Sequence, residues 1–159
     1  PAMGVKAVMT DAVVHVDPAH TGMGQIAPMT HAALHISFLT ANPKLYEPIL
    51  KIDIKAPSDM QGAVIKILTQ HRGVVTNVII EEDWVTIQGN IPTAETLGIA
   101  DEFRSATAGK AFWGYEFLEF RPVPDNMQEK LILEIRKRKG LPTQLPTPKL
   151  WERLLYVRT

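Results

Sequence analysis

Hydrophobic and charged residues alternate most regularly just before the middle of the chain. Residues 49–55 place leucine or isoleucine at every second position between charged side chains, which is the pattern of a strand with one buried face. Apolar residues then recur at helical spacing, after a candidate capping box formed by Ser58 and Gln61. Arg72 and Gly73 have the composition of a helix end. The pattern therefore predicts a strand followed by one helix.

A similar pattern continues to residue 120. Residues 74–80 and 84–91 are rich in β-branched side chains and flank an acidic turn, which predicts a hairpin. A second helix is predicted over about residues 96–109, with a glycine as its stop, and an aromatic strand over residues 111–120. One side of this helix would carry Leu97, Ala100, Phe103 and Thr107. The order strand, helix, strand, strand, helix, strand predicts that residues 45–121 form an α+β ferredoxin-like sandwich, with two helices on one face of an antiparallel sheet.

The two ends of the chain carry elements that cannot form a core separately. The apolar pattern predicts a strand from Val5 to Val16 and a helix that begins at Pro28. Another amphipathic helix is predicted after the proline-containing linker at residues 122–124, with Asp125 and Gln128 as its N-terminal cap.

The apolar stripe of this last helix needs a partner surface, and we expect it to pack on the N-terminal strand and helix. Residues 1–44 and 122–159 would then form one partial α+β domain, interrupted by the ferredoxin-like domain of residues 45–121. The tail beyond residue 143 contains a short apolar stretch, which is expected to dock as one or two helical turns.

Composition is that of an ordinary globular chain and excludes several classes of protein. The 159 residues include 45% hydrophobic ones, no cysteine, and no apolar run near the roughly 20 residues that span a bilayer. Disulfides and thiolate metal sites are excluded, and we expect a cytoplasmic protein without a membrane role. Residues 1–44 contain 2 basic (Lys and Arg) and 2 acidic (Asp and Glu) side chains. Residues 45–124 contain 7 basic and 11 acidic ones, and residues 125–159 contain 8 basic and 4 acidic ones. The basic C-terminal segment could approach RNA phosphates, but such a run is more often a solvated helix end, where cations are favourable.

The loop between the first predicted strand and helix is the strongest candidate for a functional site. Pro18 stiffens its entry, and Gly22 and Gly24 can adopt the positive φ of a tight turn. His20 would then be held at the tip of the loop, where its imidazole is available to a partner outside the domain.

This loop and several later segments match one family. The string His15-Val-Asp17-Pro-Ala-His20-Thr-Gly22-Met-Gly24-Gln25 resembles the diphthamide loop of archaeal and eukaryotic translation elongation factor two. The resemblance continues through Phe38-Leu-Thr-Ala-Asn-Pro43, Leu45-Tyr-Glu-Pro-Ile49, Arg104-Ser-Ala-Thr-Ala-Gly-Lys-Ala-Phe-Trp-Gly114 and Ile135-Arg-Lys-Arg-Lys-Gly-Leu-Pro142. It implies a C-terminal part of such a factor: the end of domain four, domain five and the C-terminal helix that completes domain four.

The resemblance also implies roles for individual residues. His20 would be the histidine that is converted to diphthamide, and the loop around it would contact RNA at the decoding centre. The residues of that loop are His15, which would support it from the strand, and Asp17, Pro18, Thr21, Gly22, Met23, Gly24 and Gln25. A rigid projecting tip suits recognition of paired RNA by shape. The chain departs from the family at Thr21 and His31, where arginine is common, and at Met23, where glycine or proline is usual.

The implied function is mechanical. The family is a GTPase that moves tRNA and mRNA through the ribosome, and this part would contribute the loop and a pivoting module. Its partners would be ribosomal RNA, ribosomal proteins, tRNA and mRNA, together with the enzymes that synthesise diphthamide. GTP and Mg²⁺ would bind the family's G domain, so no cofactor is expected in this chain. Since the chain has no phosphate-binding loop or nucleophile motif, we expect no catalytic residue and no enzymatic activity of its own.

Other interpretations of the residues remain open. His31 and His35, with His15, Asp17 and His20, are a weak candidate for a metal cluster. Aromatic residues of the last predicted strand are candidates for stacking RNA bases, although alternate ones should face the helices. The alternative function is a free-standing ferredoxin-like module that binds RNA or a small ligand, which an upstream coding sequence continuous with this chain would exclude.

Overall fold

The structure is a computed structural model that describes residues 2–151. Its helices and strands, in chain order, are α1 (Met23–Thr40), β1 (Tyr46–Pro57), α2 (Gln61–Gln70), β2 (Val74–Glu81), β3 (Trp84–Pro92), α3 (Ile99–Ala106), β4 (Phe112–Pro122) and α4 (Asp125–Arg138). Short 3-10 turns cover Pro18–His20, Ser58–Met60 and Thr93–Thr96.

The strands form one antiparallel sheet in the spatial order β2-β3-β1-β4. β1 lies between β3 and β4 and is antiparallel to both, and one bulge interrupts its pairing with β4 between Ile49 and Leu50. β1 and β2 are linked through α2, and β3 and β4 through α3, with β3 inserted between β1 and β2. This is the ferredoxin-like α+β arrangement, so the predicted fold is confirmed.

The core of this sheet domain lies between one face of the sheet and helices α2 and α3. Alternate residues of β1 face it as predicted, and Ile52 and Ile54 are fully buried. Phe103 of α3 is also fully buried and packs against the ring of Trp113, with 5.3 Å between the ring centroids. The other buried members of the core are Ala56, Val64, Ile67, Leu68, Val85, Ile87, Ile91, Ile99 and Ala111.

By its contacts the chain forms two compact units. One is Leu45–Gln128, and the described parts of Pro1–Lys44 and Glu129–Thr159 form the other. Residues 122–128 therefore belong with the sheet domain, not with the chain ends as predicted. The assignment of the two units to the fourth and fifth domains of a longer factor stays a prediction.

The side chain of Gln128 explains where this boundary falls. Its amide nitrogen donates to the carbonyls of Leu45 at 3.1 Å and Val123 at 2.7 Å, and its carbonyl accepts the amide of Leu45 at 2.8 Å. Gln128 thus joins the two ends of the sheet domain, a role that differs from the predicted cap of the last helix.

The predicted strand from Val5 to Val16 is wrong. No strand is assigned to the described residues before β1, and the side chains of this segment are exposed, from 55% at Val5 to 96% at Val16. A strand needs a hydrogen-bonded neighbour, and no strand within residues 2–151 pairs with this segment. The apolar pattern therefore indicates that this segment could pair as a strand, but none of the strands within residues 2–151 pairs with it.

The first two helices begin at different residues from those predicted. α1 begins at Met23, so Pro28 lies inside it and not at its start. Ser58 does not cap α2, because a 3-10 turn intervenes and Met60 is the residue that precedes the helix. Each start is set by the backbone of the preceding turn, which the capping pattern does not describe.

The second helix of the sheet domain also begins later than predicted. α3 begins at Ile99, after Gly98 has taken a left-handed φ of 86°. Leu97 therefore lies outside the helix, is 83% exposed and does not face the core as predicted. Ile99 fills that place and is fully buried, as is the predicted core residue Thr107.

The last helix begins directly after the linker at residues 122–124, as predicted. α4 ends in basic residues, and Gly140 follows it with a positive φ of 65°. Residues 148–151 are helical, while the rest of the predicted apolar tail lies outside the described residues. None of the helices within residues 2–151 combines the length and the apolar character needed to cross a bilayer.

Candidate functional site

The candidate loop is built on the 3-10 turn over Pro18–His20. Pro18 suits the start of this turn, since its φ is fixed and it has no N–H to satisfy. Asp17 Oδ1 accepts the amide of Ala19 at 2.9 Å, and the hydroxyl of Thr21 donates to the carbonyl of Pro18 at 3.1 Å. Bonds from side chains to nearby backbone therefore define the loop.

The predicted positive φ of Gly22 and Gly24 is wrong. Gly22 is extended, with φ −68° and ψ 155°, and its carbonyl accepts the amides of Gln25 at 2.9 Å and Ile26 at 3.1 Å. Gly24 lies in the first turn of α1, and a Cβ on either glycine would meet no atom of the described residues within 4 Å. The turn over Pro18–His20 forms with neither glycine in a left-handed conformation.

His20 projects from the end of this turn, with 58% of its side chain exposed. Its Nε2 lies 4.0 Å from Asp17 Oδ2, and its ring meets the ring of His15 edge-on with 4.8 Å between centroids. His15 Nδ1 accepts the amide of Asp17 at 3.0 Å, so a neutral His15 carries its proton on Nε2. The three predicted side chains are adjacent, while their functional roles stay predictions.

Gln25 fastens the loop to the helix that follows it. With its amide nitrogen directed at the loop, Gln25 donates to the carbonyls of His20 at 2.8 Å and Ala19 at 3.2 Å. Gln25 belongs to the first turn of α1, so the turn and the helix are joined by side-chain as well as main-chain bonds. Met23, which begins the helix, is 78% exposed beside them.

The loop has little positive charge of its own. No lysine or arginine occurs between Lys6 and Lys44. Asp17 contributes a negative charge, and the nearby histidines are cations only when protonated. Within this segment the imidazoles are therefore the only side chains that can carry a positive charge.

His31 and His35 pack with an aromatic residue from the end of the described chain. Their ring centroids are 4.2 Å apart, and the Trp151 ring meets them edge-on at 5.5 and 4.1 Å. Within residues 2–151 no group of three or more His, Cys, Asp or Glu side chains is placed to hold a metal ion. The candidate metal cluster is therefore not assembled there.

An ion-pair network in the sheet domain was not predicted. The Arg72 guanidinium hydrogen-bonds to both carboxylate oxygens of Glu47 and to Glu95 at 3.3 Å, while His71 Nε2 lies 2.8 Å from Glu102. Hydrogen bonding to Glu47 raises the pKa of Arg72. The sequence signal at this position was only a helix end, because the carboxylates come from distant elements. The network joins parts of the sheet domain and lies outside the candidate loop.

Comparisons with known proteins identify the family. The family model described as the elongation factor G C-terminus matches residues 44–131, more than half of the chain. Elongation factor 2 of Staphylothermus marinus is 47% identical over 148 residues, which are 93% of this chain and 20% of that protein. Elongation factor 2 of Sulfolobus acidocaldarius is 44% identical over 146 residues, 92% of this chain and 20% of that protein.

A solved structure supports the fold. A crystal structure of a Thermus thermophilus protein superposes with a TM-score of 0.56 and 23% sequence identity, over 62% of this chain and 14% of that one. At this identity the likeness concerns the fold alone.

The sequence match extends beyond the sheet domain to the candidate loop. Since 148 of the 159 residues align with the Staphylothermus relative, the matched segment includes His15 to Gln25. The chain spans about 20% of the length of these relatives. The family model and the relatives agree, and the chain therefore belongs to the elongation factor 2 and elongation factor G family of translation factors.

Proposed function

We propose that this chain acts as the C-terminal part of a translational GTPase that moves tRNA and mRNA through the ribosome, and that its His20 loop reaches the decoding centre. The observation that carries the proposal is the exposed imidazole of His20 at the end of a turn held by its own hydrogen bonds. Membership of the elongation factor 2 family supplies the process.

A loop fixed before binding suits this role. The bonds made by Asp17 and Gln25 restrict the backbone around His20, so less conformational entropy is lost when the tip enters a binding site. Paired RNA presents a wide, shallow minor groove with 2′-hydroxyls and backbone, which a projecting tip can contact independently of sequence. Contact of this kind would let the tip follow every codon.

Modification of His20 to diphthamide would extend the tip and add positive charge. This addition has a large relative effect here, since no lysine or arginine lies between Lys6 and Lys44. Thr21 supplies no cation beside the tip. The exposure of His20 leaves its ring accessible to the enzymes that synthesise diphthamide.

The remaining roles belong to regions other than the His20 loop. GTP and Mg²⁺ would bind in the G domain of the full factor, and this chain would contribute no catalytic residue. The ferredoxin-like domain would pivot between the ribosome and the G domain, in contact with ribosomal RNA and ribosomal proteins. The site of action would be the cytoplasm.

Mass spectrometry of the protein from its native cells tests the modification. A diphthamide mass is expected on His20, and His15, His31 and His35 should be unmodified and serve as internal controls. An unmodified His20 would contradict the modification and leave the family membership unchanged.

Translocation by the reconstituted full-length factor tests the role of the loop. Deletion of residues 18–21 should slow translocation and increase backward slippage of the mRNA. His31→Gln is the matched control, because it removes an imidazole from α1 outside the loop, and it should translocate at the normal rate. A loop-deleted factor that translocates at full rate would refute the proposed role.

A further inference from the structure

The first residue of α1, Met23, carries a thioether next to the His20 loop. Its side chain is 78% exposed, whereas Met60 and Met127 are partly buried in the sheet domain. Neither the fold nor the proposed function has used its sulfur. The family usually has glycine or proline at this position, and neither of those residues offers a sulfur for oxidation. The thioether is therefore a chemical feature that this chain adds to the loop.

The helix geometry directs the side chain of Met23 toward the loop. Gly22, which precedes the helix, is extended, so α1 starts directly after the loop. The Cα–Cβ bonds of an α-helix tilt toward its N-terminus, and a side chain at the first position therefore projects back past the helix end. That end adjoins the turn over Pro18–His20, which Gln25 joins to α1. The sulfur is thus presented at the same end of the helix as the His20 imidazole.

The space on both sides of Met23 is open. A Cβ added to Gly22 or Gly24 would meet no atom of the described residues within 4 Å, so the flanking positions contribute nothing that would shield the sulfur. An oxidant must reach the sulfur, and exposure therefore determines which methionines react first. Met9, which is 83% exposed and lies before the loop, provides a reference for an unshielded thioether.

The reaction expected of such a thioether is the transfer of one oxygen atom from a peroxide. With hydrogen peroxide, an S–O bond forms and the O–O bond breaks, so that the sulfur is oxidised by two electrons and the peroxide is reduced to water. Both protons of that water come from the peroxide. The reverse step, catalysed by methionine sulfoxide reductases, consumes a dithiol, which becomes a disulfide, and releases the oxygen as water.

Oxidation of Met23 would change the character of the tip. The side chain turns from flexible and apolar to polar, and it gains a hydrogen-bond acceptor. No lysine or arginine lies between Lys6 and Lys44 to offset an added acceptor. The backbone of paired RNA is itself rich in acceptors, so it would lose an apolar contact with the thioether and meet an oxygen in its place.

We propose that Met23 is an oxidation site through which a peroxide regulates the His20 loop. Formation of the sulfoxide weakens the contact of the tip with the ribosome, and its reduction restores that contact. The effect on the ribosome rests on the proposed function of the loop. The oxidation and its effect on the His20 imidazole do not, and both are measured on the 159-residue chain alone.

Peroxide treatment of the folded chain followed by mass spectrometry tests the site. Met23 should be oxidised at a rate similar to that of the exposed Met9, and before the partly buried Met60 and Met127. Oxidation of Met23 no faster than that of Met60 and Met127 would overturn the proposal.

NMR of the oxidised chain tests whether the sulfoxide affects the loop. The imidazole signals of His20 should shift after peroxide treatment, whereas those of His71, in the sheet domain, should stay in place. The shift should be absent from Met23→Leu, which keeps an apolar side chain of similar size. Met9→Leu is the matched control and should retain the shift. The same His20 shift in Met23→Leu would overturn the proposal.

Translocation by the reconstituted full-length factor tests the regulation. Peroxide should slow the unsubstituted factor about fourfold, which corresponds to the apolar contact of one methylene group. Met9→Leu should slow equally, Met23→Leu should slow less, and a methionine sulfoxide reductase with dithiol should restore the rate. If deletion of residues 18–21 slows translocation as expected while Met9→Leu and Met23→Leu respond equally to peroxide, this proposal is overturned and the proposed function is not.

Discussion

Replacement of the buried Thr107 by valine tests how the loop after α3 is held. The Thr107 side chain is fully buried, and its hydroxyl donates to the carbonyl of Phe103 at 2.6 Å and accepts the amide of Ala111 at 3.1 Å. Valine has nearly the same shape and can make neither bond. The Phe103 carbonyl keeps the main-chain amide of residue 107 at 3.0 Å, whereas Ala111, itself only 6% exposed, loses this partner for its N–H.

The expected loss of stability follows from that one buried N–H. An unsatisfied buried donor costs about 1–3 kcal/mol, and the additional methyl group of valine returns less than about 1 kcal/mol. The free energy of unfolding of the sheet domain should therefore fall by about 1–2.5 kcal/mol. For a domain of this size 1 kcal/mol corresponds to roughly 4–8 °C, so its melting temperature should fall by about 5–15 °C.

Urea unfolding followed by circular dichroism measures this loss, and hydrogen exchange at Ala111 locates it. Thr69→Val is the matched control, because the exposed hydroxyl of Thr69 donates only to the carbonyls of Ile65 and Lys66 within its own helix. This variant should change stability by less than about 0.5 kcal/mol. Equal effects of the two substitutions, or unchanged exchange at Ala111, would refute the assignment of the loop's stability to the Thr107 hydroxyl.

Three further predictions concern the sheet domain. Arg72→Ala should lower the free energy of unfolding of this domain by about 2–4 kcal/mol in urea titrations, because the carboxylate of Glu47, which is 8% exposed, loses its cation. Arg72→Lys should recover part of this loss. An unchanged urea midpoint for Arg72→Ala would contradict the pairing. Gln128→Leu should cost about 1–3 kcal/mol and speed hydrogen exchange of the Leu45 amide, and unaltered exchange there would exclude the bridge. Burial raises the pKa of Tyr115, so the unfolded chain loses this proton first and stability should decline as the pH rises above about 10. Tyr115→Phe should show a smaller decline between about pH 9 and pH 11, and identical profiles would refute this contribution.

The sheet domain was predictable because its signals are local and agree with one another. Alternation along β1, helical spacing in α2 and β-branched residues in the hairpin each indicate the element that forms, and together they fix the order of elements. The exact helix starts were not predictable in the same way. Gly98 takes a left-handed conformation before α3, and its effect on Leu97 depends on backbone geometry that residue type leaves open.

Interactions between distant residues account for most of what sequence reasoning missed. Glu47 meets Arg72 only after β1 and the end of α2 have been packed together, and Gln128 meets Leu45 across the whole length of the domain. None of these residues has a periodic or motif signal that specifies its partner, because the spacing between partners is set by the fold.

The candidate loop, by contrast, is held by bonds between residues that are close in sequence. Its segment was predicted to follow a strand, and that strand is absent from the described residues, yet His15, Asp17 and His20 are adjacent. Every hydrogen bond described for the loop joins residues between His15 and Ile26, so its conformation rests on bonds within that segment. If residues 5–16 paired with another strand, the loop would therefore be reoriented as a rigid unit, and the turn at Pro18 would keep its conformation. The exposure of the His20 imidazole follows from the turn itself, while the functional role of the loop stays a prediction.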